Sequence, residues 1–426
     1  MPNTATRKGS RYARAGFVAA LLSVGMAASA ATPPAPTRAG TPNVIIILAD
    51  DLGYGDLGSY GGKRIRTPNL DRLAAEGMRF TSFYAQPVCG PSRAALMTGS
   101  YPLRVAKRKN VVEHHPRLHA QEITIAEILK TRGYATAAFG KWDLAGHSQN
   151  AAQYESDLLP THQGFDEYFG TPSSNDATVN LLRGTKVEEN NADMSTLTQR
   201  YTDEAVSFIR RSKDRPFFVY LAHNAVHFPR YPTADFRGQS PNGLLGDWVQ
   251  EVDWSVGQIL DALRAMKLDR NTLVLFFSDN GGPVGQGANN FPLRGAKGST
   301  LEGGIRVPGL AWWPGTIPAG SSTDAITAMI DVLPTFAALA RAPLTANRKI
   351  DGVDIFSVLT GAPATPPRDT FLYHRGLLLE AVRHGPWKLH LATGELYHLA
   401  NDIGEATNVA AQNPALVARL TAIADA

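Results

Sequence analysis

Cysteine is nearly absent from this chain of 426 residues, and Cys89 is the single one. A lone thiol cannot form an intrachain disulfide, so whatever fold the chain adopts is held by packing and polar contacts. Long apolar runs are scarce as well: beyond the first thirty residues no segment is long or apolar enough to cross a bilayer. A surplus of one charge is also missing. The formal +4 comes from 42 Lys and Arg against 38 Asp and Glu, and four of the basic residues (Arg7, Lys8, Arg11, Arg14) lie in the acid-free first thirty residues. The remainder is balanced at 38 against 38, which removes the electrostatic footprint expected of a nucleic-acid or acidic-membrane binder. No internal repeat of solenoid length is present. The Gly-rich basic segment from Arg294 to Pro308 lacks Walker spacing and a Gly-Lys-Ser/Thr opening a helix, which argues against a nucleotide-phosphate loop.

What is present begins at the N-terminus. A basic stretch, an apolar run from Ala15 to Met26 and Ala28-Ser29-Ala30 follow one another, the pattern of a signal peptide over residues 1–30. This predicts an exported protein, periplasmic or secreted, with an uncleaved N-terminal anchor as the alternative. Residues 31–42 are a Pro-rich spacer expected to be extended or disordered. The rest is long for one core, which predicts a large domain with a smaller appendage. The 39 Gly and 28 Pro suit many loops over a rigid frame.

Asn43-Val44-Ile45-Ile46-Ile47-Leu48 is a continuous β-branched run, the mark of a strand buried on both faces of a largely parallel sheet. It ends in Ala49-Asp50-Asp51, and paired carboxylates at a strand's C-terminal end occupy the place where open α/β sheets bind ligands; a helix cap is the competing reading. Thr67 to Gly77 reads as a helix capped by Thr67, and Met78 to Gln86 as extended chain. Ile123 to Thr131 and Tyr134 to Asp143 form a helix–strand unit in which strand alternation puts Lys141 and Asp143 on one face. The polar, Asn-rich stretch from Gly146 to Met194 reads as loops around a site mouth. A helix from Leu197 to Arg211 leads to the strand Phe217 to Ala222, whose exit carries His223, Asn224 and His227. A second helix, Leu244 to Met266, leads to the strand Thr272 to Phe277, which ends in Ser278-Asp279-Asn280-Gly281-Gly282. The alternation argues for a wound α/β sheet over residues 43–361, with helices on both faces. Beyond a Pro-rich linker at 362–367, residues 368–426 read as a small α+β unit: strands from Thr370 to Leu399, then a helix from Pro414. Asp50, Asp51, Asp279 and Asn280 are hard oxygen donors from separated strand ends, and fit Ca²⁺ or Mg²⁺ better than zinc.

The lone thiol sits in Cys89-Gly90-Pro91-Ser92-Arg93, followed by Leu96, Thr98 and Gly99. Pro91 belongs to a first helical turn and Gly99 to a helix end. A small buried apolar cysteine is the plain alternative. The Cys-x-Pro-Ser-Arg run resembles the signature of the type I sulfatases, whose cysteine is oxidised to Cα-formylglycine. The resemblance extends over Gly140-Lys141-Trp142, Ser278 to Gly282, Gly304-Ile305-Arg306-Val307-Pro308 and Glu395-Leu396-Tyr397-His398-Leu399.

That resemblance implies an alkaline-phosphatase-like fold and one calcium held by Asp50, Asp51, Asp279 and Asn280, with converted Cys89 as a fifth ligand. It also implies maturation by a formylglycine-generating enzyme. Of the hydrated formylglycine's two hydroxyls, one would attack sulfur and the other would later expel sulfate. Arg93, Lys141 and Lys297 would neutralise developing charge, and His227, in a segment similar to the family's His-x-Pro loop, would protonate the leaving alcohol. Two residues depart from the pattern: Asp143 stands where a histidine is usual, and Ser100 where a basic residue is common. Asp143, beside Lys141 and a cation, is expected to act as an ionised base; His147 is the alternative source of an imidazole. A phosphonate or phosphodiester hydrolase of the same superfamily, and a non-catalytic binder of sulfated glycans, are the competing functions.

Overall fold

The structure is a computed structural model that describes residues 40–105, 118–146, 154–175, 179–344, 347–361 and 365–426. The expected signal peptide at 1–30, the spacer up to residue 39, His147 and residues 362–364 of the expected linker lie outside the described residues.

The strands follow chain order as β1 (Asn43–Ala49), β2 (Met78–Tyr84), β3 (Ala135–Gly140), β4 (Glu167–Gly170), β5 (Leu181–Arg183), β6 (Lys186–Glu189), β7 (Phe217–Ala222), β8 (Thr272–Ser278), β9 (Arg306–Trp312), β10 (Ser321–Thr323) and β11 (Thr327–Ala328). They form one 11-stranded sheet in the order β10-β2-β9-β8-β1-β7-β3-β4-β5-β6, with β11 also on β2. The run β8-β1-β7-β3-β4 is parallel, and β9 lies antiparallel to both β8 and β2. This is the mostly parallel α/β sheet expected from the strand–helix alternation.

β1 is central because its residues are wanted on both faces. Val44, Ile46 and Leu48 join one core with Leu96 and Met97 of the helix Cys89–Thr98, Ile128 of the helix Ile125–Lys130, and Phe336 of the helix Val332–Leu339. Ile45, Ile47 and Ala49 join the opposite core with Leu70 of the helix Pro68–Glu76, Phe208 of the helix Leu197–Ser212, and Trp248 and Val252 of the helix Gly243–Ala265. Each of these fully buried aliphatic chains contributes about 1.5–3 kcal/mol of transfer free energy. Ligand-bearing residues can therefore sit only at the strand ends. Among the described residues no helix is long and apolar enough to cross a membrane.

Three expectations are corrected. The stretch from Gly146 to Met194, read as loops, supplies β4, β5 and β6, strands of three or four residues that are too short to show periodicity. Strand β3 stops at Gly140, so Lys141 and Asp143 are not placed by alternation; Asp143 instead takes a left-handed backbone at φ 59°. Thr67 does not cap its helix with its side chain. Its Oγ1 accepts from Gly58 N at 2.9 Å and donates to Asp71, while the helix starts on Pro68.

The C-terminal residues form an antiparallel sheet of β12 (Thr370–Arg375), β13 (Leu378–His384), β14 (Trp387–His390) and β15 (Leu396–His398). One face covers Leu420 of the helix Pro414–Asp425. Phe371, Tyr373 and Ala381 pack against Tyr84, Ala95 and Ile305 of the larger layer. A buried polar knot crosses the same seam. Lys388 Nζ lies 2.9 Å from Glu302 Oε1 and 2.9 Å from Glu405 Oε1, and donates to Thr300 O at 2.8 Å. Tyr84 and Tyr373 donate to the two Glu302 oxygens.

Removing one partner of a buried pair leaves an uncompensated charge, so Lys388→Met should lower the unfolding free energy by about 3–5 kcal/mol in urea titrations. A loss under about 1 kcal/mol would mean that the two carboxylates take up protons or water when the lysine is lost.

Candidate active site

The site forms where β1, β3, β7 and β8 end. Asp50 follows β1 directly and is fully buried, and Asp51 turns into a left-handed backbone at φ 65°, which Asp tolerates better than most side chains. The turn is tied to its neighbours: Asp50 N donates to Ala225 O, Val226 N to Asp50 O, and Asp51 N to Asp279 Oδ1. Gly140 ends β3 at φ 106°, and a Cβ there would meet Ala222 O at 1.8 Å, so only glycine allows Lys141 to enter the pocket from β3.

Cys89 opens its helix, as the Pro91 and Gly99 positions suggest; Gly99 is the left-handed C-cap at φ 67°. Its Sγ donates to Asp50 Oδ1 at 3.3 Å. Lys141 Nζ meets Asp50 Oδ2 at 2.6 Å, Ser174 Oγ at 3.3 Å and Asp143 Oδ2 at 3.6 Å. Arg93 donates through Nε and Nη2 to Asp279 Oδ2, at 3.1 and 2.8 Å, and through Nη1 to Lys141 O at 2.7 Å. Lys297 Nζ lies 2.7 Å from Asp51 Oδ1, Asn280 Nδ2 donates to that oxygen at 2.7 Å, and His227 Nε2 lies 3.7 Å from Asp51 Oδ2. All ten residues singled out from the sequence thus converge. The sequence reading missed Ser174, which has no motif around it and is found only as an acceptor for Lys141.

Whether the pocket suits a cation can be asked of its donors. Asp50, Asp51, Cys89 and His227 offer ligand atoms within 4.8 Å of one another, a buried group that fits a metal site. Asn280 Oδ1 is buried, and no described residue donates to it, although its amide nitrogen is engaged. The carboxylates are pushed in opposite directions. Burial raises Asp50, but Lys141, then His227, Arg93 and Lys297, hold it well below the usual range. Burial and the Asp50 charge raise Asp279 to about 6 despite Arg93 and Lys141. A divalent cation would favour the ionised form of both.

His223, at the same β7 exit, does not face this pocket's acids. It is fully buried, with Nε2 3.1 Å from Ser255 Oγ on the helix Gly243–Ala265. Desolvation lowers it from 6.5 to about 3, so it stays neutral.

The fold and pocket together define an alkaline-phosphatase-like α/β protein whose buried carboxylates and cations are arranged around a metal-capable centre. The sulfatase family model matches residues 42–342. Similar proteins include N-acetylgalactosamine-6-sulfatase of Canis lupus familiaris, 39% identical over 406 residues that cover 88% of this chain and 74% of the relative. Arylsulfatase A of Homo sapiens is 38% identical over 390 residues, covering 83% and 75%. The crystal structure of Ps i-CgsB in complex with k-i-k-neocarrahexaose matches at TM-score 0.79 and 33% identity, covering 91% of this chain and 92% of that one. The phosphonate monoester hydrolase of Agrobacterium radiobacter, at TM-score 0.65, 20% identity and coverage of 90% and 94%, shares the fold. The chain belongs to the sulfatase family, and its class of reaction is sulfate-ester hydrolysis.

The buried neutral His223 has a pH signature. Because its folded value lies below its unfolded one, the unfolded chain takes up the extra proton, and stability falls as pH drops from 6.5 toward 3. Unfolding free energies of wild type and His223→Gln between pH 6 and pH 4 should differ in slope by up to about 1.4 kcal/mol per pH unit, with the wild type steeper. Equal slopes would show that His223 carries its proton in the fold.

Proposed function

We propose that this sulfatase is formylglycine-dependent, holds one Ca²⁺, and acts on a sulfated carbohydrate. The observation that carries the reading is Cys89 at the start of its helix, 3.3 Å from Asp50 and ringed by Lys141, Arg93 and Lys297. As encoded, the thiol is a poor nucleophile: burial, then the Asp279 and Asp50 charges, push it well above its ordinary range. A neutral S–H in a pocket built for anions calls for chemical conversion. A cation would be held by Asp50, Asp51, Asp279 and Asn280, with residue 89 completing the set; hard oxygen donors suit Ca²⁺. When present, hydrated formylglycine at 89 supplies the nucleophilic hydroxyl, and Ca²⁺ supplies charge neutralisation on the sulfuryl oxygens.

The chain's own groups divide the remaining work. Lys141 and Lys297 stay charged: burial alone would lower them, but the Asp50 carboxylate raises Lys141, and Asp51 and Asp50 raise Lys297. Both are thus fixed cations for an oxyanion. Arg93, spent on Asp279 and on the Lys141 carbonyl, orients those two groups and adds positive potential. His227 Nε2, 3.7 Å from Asp51 Oδ2, is the proton donor for the leaving alcohol. Asp143, 3.6 Å from Lys141 Nζ, is the base that would accept the proton of a hydroxyl at residue 89.

The carbohydrate class follows the relatives, one named for N-acetylgalactosamine 6-sulfate and one crystallised with a carrahexaose. Export through the N-terminal signal and oxidation by a formylglycine-generating enzyme complete the reading.

Peptide mass spectrometry of protein from a host with the converting enzyme should show the Cys89 sulfur lost. Cys89→Ala should cost about 10³-fold or more in kcat, and chelation should lower turnover in step with bound calcium. Full turnover with unmodified Cys89 would overturn the mechanism.

A further inference from the structure

Arg230 is a fourth cation at this site, and its environment differs from that of the other three. Lys141, Arg93 and Lys297 each lie within 2.9 Å of a carboxylate oxygen. Arg230 stands three residues beyond His227, half-buried, and no described carboxylate lies within ion-pair distance of it. Its Nε donates to Val226 O at 3.1 Å, which fixes the plane of the guanidinium against the loop carrying His227. Its Nη2 is buried, and no described residue accepts from it. The loop itself is held: Asn175 Nδ2 donates to His227 O at 3.1 Å and to Pro229 O at 3.2 Å. Phe228, between the two basic residues, is 52% exposed and leaves an apolar edge at the pocket rim.

Two acids lie near enough to act on Arg230 electrostatically, Asp51 and Asp56, but both are committed elsewhere. Asp51 takes Lys297 and the Asn280 amide, and Asp56 accepts the backbone N–H groups of Gly53 and Asn289 at 2.9 and 3.1 Å. The local charges point the same way. Four carboxylates (Asp50, Asp51, Asp143, Asp279) face three permanent cations (Arg93, Lys141, Lys297), so a divalent ion and one singly charged sulfate ester already balance them, and a proton on His227 only adds positive charge. Arg230 is then surplus. A planar guanidinium with a free buried edge is shaped for bidentate capture of a carboxylate or sulfate.

We infer that Arg230 binds a second anionic group of the substrate, a sulfate or carboxylate set beside the ester that is cleaved. The inference rests on the sulfate-ester reading of the same pocket. It makes the preferred substrate a saccharide with at least two negative charges, either a disulfated sugar or a monosulfated sugar joined to a uronate.

Calorimetric binding to calcium-loaded protein made without the converting enzyme, so that Cys89 stays a thiol and the nucleophile is lacking, tests this without turnover. The probes are N-acetylgalactosamine 6-sulfate, N-acetylgalactosamine 4,6-disulfate and the uronate-containing chondroitin 6-sulfate disaccharide. Wild type should bind one of the two dianions about tenfold more tightly than the monoanion, and the arm that shows the gain identifies the second group. Arg230→Gln should bring the ratio close to one, Arg230→Lys should keep part of it, and added salt should shrink it in the wild type. No gain for either dianion, or a gain that Arg230→Gln leaves intact, overturns the role of Arg230. Sulfate release from the same three saccharides by matured, calcium-loaded wild type reports on the chemistry separately. A charge-dependent binding ratio without any such release would sink the sulfatase mechanism and keep Arg230 as an anion site.

Discussion

The contact on which this molecule turns is that of Asp50 with Lys141, 2.6 Å long and fully buried on both sides. An ionised carboxylate out of water costs several kcal/mol, and the cost is met only by charges placed to within a fraction of an ångström. That requirement reaches outward. Lys141 gets there because β3 ends on a glycine pressed against Ala222, its backbone carbonyl is held by Arg93, and Arg93 in turn holds Asp279 at the end of β8. Four strand ends and one helix are tied through a single charge lattice, so its members behave as a unit rather than as independent contributors.

The strands that matter most were legible because each is a run of β-branched or aromatic residues ending in acids or amides. β1 and β8 are the clearest cases, and their last residues could be nominated as ligands before their neighbours in space were known. The helix opened by Cys89 was legible from Pro91 and Gly99. The peripheral strands were not: β4 to β6 carry three or four residues each, below the length at which period two can be told from chance. The route of Lys141 and Asp143 into the pocket was misread for a related reason. Strand alternation assumes that the strand continues, whereas a left-handed residue at 143 breaks it. Ser174 and Arg230 had no motif to mark them, because their relevance lies in which buried atoms they face.

The centre and rim of the pocket are built on different principles. At the centre each charge is fixed by at least one other on a separate element, which leaves little freedom for substitution. At the rim, the loop from His227 to Arg230 is held by backbone acceptors and one asparagine, so side chains there can vary while the frame persists. The 33% identity shared with Ps i-CgsB over nine-tenths of both chains is compatible with this division: one frame, with loops free to differ.

Lys388 gives the fold an order in time. The carboxylate it neutralises, Glu302, opens the turn just after the Lys297 loop, yet the lysine is made 86 residues later, on a strand of the small sheet. A chain still emerging from the ribosome can form β1 to β9 with Glu302 paired to Arg306 at 3.2 Å, and the second cation, Lys388, comes only when the small sheet arrives. Completion of synthesis is therefore read out as charge balance next to the pocket, and products cut short before β14 leave Glu302 with one of its two cations where the finished enzyme has a closed seam.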